Sequence, residues 1–136
     1  MLHFIVLTWK DNPNAYYQLA MLDPPSPLQE KYLLKAAASG VIEAAHNLAV
    51  YNHQHTSPPD LPMAKEWYTL AATQGFALSQ VNLATVLMKE RKTSEATQWL
   101  IKAEREPGEV GKWAKELKRE MEGGGSGRAN LDQTIP

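Results

Sequence analysis

The feature that most limits what this chain can become is a match of the sequence to itself. Displaced by 35 residues, Ala36-Ala37 falls on Ala71-Ala72, Gly40 on Gly75, and Asn47-Leu48-Ala49 on Asn82-Leu83-Ala84, while Tyr32 meets Trp67. Six identities in so short a window mark an internal repeat, and a period in this range is that of stacked helical hairpins. The pattern continues in both directions. Gln18-Leu19-Ala20 echoes Asn47-Leu48-Ala49 across a shorter connection that holds Pro24, Pro25 and Pro27. Trp99-Leu100-Ile101-Lys102-Ala103 echoes Trp67-Tyr68-Thr69-Leu70-Ala71 at an offset of 32.

Each unit reads as two helices. The spacing predicts first (A) helices over 13–22, 41–52 and 76–89, and second (B) helices over 27–38, 62–74 and 94–105. Pro27 and Pro62 stand where a first-turn proline is tolerated, because its missing N–H would have no helical partner. Gly40 and Gly75 stand where a helix must end and the chain turn through a left-handed residue. A further helix over 109–122 carries Trp113 and Leu117 on one face and Lys and Glu on the others, as a terminal cap requires. Ala36, Ala37, Ala71 and Ala72 let neighbouring helices approach closely, and Tyr32, Trp67 and Trp99 fill the space between hairpins. Each hairpin leaves an apolar face that only its neighbours can cover.

Composition narrows the possibilities. The chain has 136 residues, which suits one compact domain, and apolar residues make up 43% of it, enough for a core. With 14 Lys plus Arg against 15 Asp plus Glu, nothing electrostatic points to nucleic acid or acidic lipid. Absence of Cys excludes disulfides and thiolate metal sites, but it fixes no compartment. The longest apolar run, Phe4-Ile5-Val6-Leu7, is far too short to span a bilayer and has no signal-peptide flanks. The segment therefore reads as one domain of a longer protein. Residues 1–11 match no repeat unit.

The motif Ala64-x-x-Trp67-Tyr68-x-x-Ala71-Ala72-x-x-Gly75-x-Ala77-x-x-x-x-Asn82-Leu83-Ala84 resembles the Sel1-like repeat family, a relative of the tetratricopeptide repeats. It recurs as Tyr32-x-x-x-Ala36-Ala37-x-x-Gly40-x-x-x-Ala44-x-x-Asn47-Leu48-Ala49-x-Tyr51, and the resemblance covers roughly residues 13–105. Two departures stand out. The loop usually rich in Gly is here His53-Gln54-His55-Thr56-Ser57-Pro58-Pro59-Asp60, and the Gly after Leu in the A helix is replaced by Ala20, Ala49 and Ala84. The resemblance implies an all-α, right-handed α-α superhelix (a solenoid) of about three helical-hairpin repeats with a C-terminal capping helix. It also implies an adaptor that assembles protein complexes rather than an enzyme. The alternative is a structural repeat segment that packs against other domains of its own protein.

In related helical repeats the A helices line the concave surface. That places Tyr17, Gln18 and Met21 on the binding face in the first unit, Glu43, His46, Asn47 and Val50 in the second, and Leu78, Val81, Asn82 and Thr85 in the third. An Asn there donates and accepts at once, which suits a peptide backbone. The competing reading has Asn47 and Asn82 bonded to a neighbouring helix, fixing geometry. His46, His53 and His55 lack a third ligand at suitable spacing, so no metal is expected. Ser, His and Asp occur without a nucleophile elbow, and no Gly-rich phosphate loop is present, so neither catalysis nor a cofactor is expected.

Gly123-Gly124-Gly125-Ser126-Gly127 has the composition of a flexible linker of engineered type, closing a domain over 1–122. Residues 128–136 belong to no repeat and read either as a tethered partner peptide, anchored by Leu131 and Ile135, or as a tag.

Overall fold

The computed structural model describes residues 12–123; the expectations for residues 1–11 and for the segment 124–136, with Leu131 and Ile135, lie outside the described residues. Every regular element among the described residues is helical: α1 Pro13–Leu22, α2 Pro27–Ala38, α3 Ile42–Gln54, α4 Leu61–Thr73, α5 Ala77–Lys89, α6 Thr93–Ala103 and α7 Glu109–Glu122. The boundaries fall within one or two residues of those read from the repeat. Local chemistry sets several starts. Asn12 caps α1, its side chain accepting from the Asn14 N–H at 3.0 Å, and Ser26 caps α2 by accepting from the Gln29 N–H at 3.1 Å. Asp60 does the same for α4, its carboxylate accepting from the Met63 N–H at 3.1 Å. Each cap satisfies a first-turn donor that has no helical partner.

Contacts divide the chain into two compact units, Met1–Trp67 and Tyr68–Pro136. In the first, α1 packs on α2 and α2 on α3. Its core joins Ala20 from α1, Leu33 and Ala36 from α2, Val41 at the turn, and Ala44 and Leu48 from α3. Tyr16, Tyr17, Tyr32, Ala37 and Trp67 pack around it. The small residues are the ones the repeat aligns, and the aromatic groups fill the rim they leave. Gln29 fastens the α1–α2 corner: its amide donates to the Ala20 carbonyl at 3.1 Å and to the Asp23 carbonyl at 2.9 Å. Two carbonyls at the end of α1 thereby gain donors.

In the second unit α5 packs on α6, α6 on α7 and α5 on α7. Leu83, Leu87, Leu100, Ala103, Ala114 and Leu117 supply its apolar interior. Lys118 reaches Glu104 at 2.8 Å, a part-buried ion pair that ties α7 to the end of α6. Gly111 is buried against that same turn, where a Cβ would collide with the Glu106 carbonyl.

The two glycine corners are one motif built twice. After α2, the Gly40 N–H donates to Ala37 at 3.0 Å and the Val41 N–H to Ala36 at 3.1 Å; after α4, Gly75 donates to Ala72 at 3.0 Å and Phe76 to Ala71 at 3.1 Å. Both glycines sit at φ 93°, in the left-handed region. This is the Schellman end of a helix. A third copy closes α5, with Arg91 in the glycine position at φ 64°: Arg91 donates to Met88 at 2.9 Å and Lys92 to Leu87 at 2.8 Å.

Candidate protein-binding face

Helices α1 and α3 carry the expected binding residues of the first unit. Met21 is 44% exposed, Gln18 and Glu43 are exposed, and Tyr17 and Asn47 are half-buried. One contact joins the two helices at the surface. The Asn47 Nδ2 group donates to the Tyr17 hydroxyl at 3.3 Å and approaches the Met21 Sδ at 3.7 Å. Both bonds use the amide nitrogen, so its orientation is set and Oδ1 points away from them. Glu43 lies one helical turn before Asn47, and residues four apart share a face. Tyr17, Gln18, Met21, Glu43 and Asn47 thus form a contiguous patch of mixed polarity. His46 and Val50 are not part of it: both are buried, at 2% and 7% exposure.

The third group of expected residues is placed differently. Every residue of α5 from Ser79 to Leu87 is buried, so Val81, Asn82 and Thr85 are not on an open face. Leu78 is half-buried. Helix α5 packs on α6 and α7, and its Gln80 and Asn82 also bond to α4, so several elements cover its circumference. Asn82 is wholly buried and hydrogen-bonds the Tyr68 side chain. Thr85 donates back along the helix to the Asn82 carbonyl at 2.7 Å. Burial pushes the Tyr68 hydroxyl well above its ordinary range, and the bond with Asn82 only partly opposes this. Gln80 donates to the Ala72 carbonyl at 3.1 Å and closes the corner after α4.

Sequence reasoning missed Glu30 and its proximity to Tyr51. Tyr51 is buried on α3 and hydrogen-bonded to the Glu30 side chain of α2; burial first, then the Glu30 charge and that bond, push its hydroxyl above its ordinary range. Tyr51 was visible in the repeat, but Glu30 occupies a position that the 35-residue match leaves unmarked.

Among the described residues no group of three or more His, Cys, Asp or Glu side chains could hold a metal ion. Among them also, no helix is long and apolar enough to cross a membrane. No protein-family model matches the chain, and neither a curated protein nor a solved structure matches it.

Proposed function

We propose that this chain is a non-catalytic adaptor of the Sel1-like kind, a right-handed solenoid of about three helical hairpins that holds a segment of a partner protein. The observation that carries the reading is the Asn47 amide, pinned by Tyr17 and Met21 at a half-exposed position between α1 and α3. A side-chain amide held in one orientation loses little freedom when a backbone N–H bonds to its oxygen. Met21 and Tyr17 beside it supply adaptable apolar area. Residues 128–136 represent such a segment, with Leu131 and Ile135 as its anchors.

Panning a displayed short-peptide library on the chain tests this reading. Wild type should enrich peptides that bind in trans, while Asn47→Ala and Met21→Ala should each weaken them by about 1–3 kcal/mol and leave the melting temperature nearly unchanged. Failure of the wild type to enrich anything, or binding indifferent to both substitutions, would remove the α1–α3 face as the site. A second reading, a structural segment packed against other domains, is favoured by exposed aliphatics on the B helices of the first unit: Leu28 at 48%, Leu34 at 41% and Met63 at 40%. Under that reading the library yields nothing, and substitutions at those three positions disturb a larger parent protein instead.

A further inference from the structure

The α1–α3 patch has a charge character that restricts its occupant. Helix α1, Pro13–Leu22, holds no Asp, Glu, Lys or Arg at all, and in α3, Ile42–Gln54, Glu43 is the one residue of those four types. Glu43 is exposed, and among the described residues no cation lies within salt-bridge distance of it. It stands one turn from Asn47, whose amide bridges to Met21 on α1. A carboxylate with no Lys or Arg in reach among the described residues therefore lies one turn from an amide held by a phenol and a thioether; neither helix carries a Lys or Arg, and the basic group of α3 nearest its end is His53, in the last turn.

We infer that the segment bound on this face carries a Lys or Arg that meets Glu43, one turn or a few extended residues from an aliphatic side chain that covers Met21. This rests on the adaptor reading above and deepens it by naming the partner's chemistry. An acidic segment would place like charges together on two helices that carry no Lys or Arg. A wholly apolar segment would leave the carboxylate beside desolvated atoms without a partner. A cation with an aliphatic neighbour satisfies both ends of the patch. Arg fits the carboxylate in two-pronged geometry, and either cation lays its methylene stem along the Tyr17 and Met21 surface. Glu43 also lies in the first turn of α3, where a carboxylate favours the helix. That structural role predicts a change in melting temperature on substitution, but no preference for a cation in the ligand.

A charge swap separates the two roles. The probe is the same displayed short-peptide library, panned on full chains carrying wild type, Glu43→Gln and Glu43→Lys. Wild type should enrich peptides with Lys or Arg at a fixed distance from Leu, Ile or Met, and Glu43→Lys should enrich Asp or Glu at that position. Against one wild-type-selected peptide, Glu43→Gln should weaken binding about two- to five-fold, as an exposed ion pair does. The difference should shrink as salt is raised. Glu43→Gln keeps the side-chain length and avoids a cation at the start of α3, so it reports even if Glu43→Lys unfolds. Enrichment without charge preference, or a preference unchanged by the swap, overturns this inference and leaves the adaptor reading standing. No enrichment on the wild type overturns both.

Discussion

Tyr68 and Asn82 show how one buried pair ties stability to pH. Burial holds the Tyr68 hydroxyl above its ordinary value of 10.0, so the folded chain keeps that proton after the unfolded chain has lost it. Stability from this group is therefore fully present below about pH 10 and falls as pH rises beyond it. Tyr51, shifted in the same direction by burial and Glu30, adds to the same loss. Tyr68→Phe should cost about 0.5–1.5 kcal/mol at neutral pH, because Asn82 loses a partner. It should also flatten the alkaline decline, and thermal melts across about pH 8–11 would reveal an unchanged slope if Tyr68 were not its source. The same pair marks a limit of sequence reading. Asn47 and Asn82 sit in identical Asn-Leu-Ala triplets. One is half-exposed and bonds Tyr17 and Met21; the other is wholly buried and bonds Tyr68. Their partners lie 30 residues before Asn47 for Tyr17 and on α4 for Asn82, so no local pattern separates the two asparagines.

At the scale of elements, the corners decide where helices end. Gly40 and Gly75 were legible because glycine is the residue that enters the left-handed region without a Cβ penalty. An added Cβ at either meets nothing within 4 Å, so Gly40→Ala and Gly75→Ala cost conformational energy alone, about 1–2 kcal/mol each. The corner after α5 was invisible in that code. Glu90-Arg91-Lys92 holds neither Gly nor Pro, yet Arg91 adopts φ 64° and completes the same pair of bonds. There the carbonyls at the end of α5 and the packing of α6 on α5 hold the turn against the residue's own preference. Arg91→Gly should therefore raise stability, by up to about 1 kcal/mol. Urea midpoints for the three variants check the set, and a destabilised Arg91→Gly would mean that the Arg side chain contributes more than the strain it imposes. Prolines and small residues made the helix boundaries readable to within a turn. Burial around α5 was not readable, because an amphipathic pattern locates one buried face and cannot report that further helices cover the others.

For the molecule as a whole, contacts gather in two units, a division that neither tests nor excludes the single stack the repeat suggests. The repeat is blind to this division, since the same small residues and corners recur on both sides of it. Each unit has its own wholly buried leucine from a B helix: Leu33 on α2 in the first and Leu100 on α6 in the second. Truncating either to Ala removes a fully enclosed isobutyl group and should cost about 2–5 kcal/mol. Cooperative opening follows clusters of contacts rather than chain order. Amide exchange in Leu33→Ala should therefore accelerate first in α1, α2 and α3, and in Leu100→Ala first in α5, α6 and α7. Equal acceleration of all helices in both variants would mean that the units open only together, with each substitution drawing on a single global stability. Local acceleration would instead give the α1–α3 face a stability of its own, set by the core beneath Tyr17 and Asn47. Substitutions in the second unit would then leave the proposed peptide binding on that face intact, and Leu33→Ala, a wholly buried position, would weaken it.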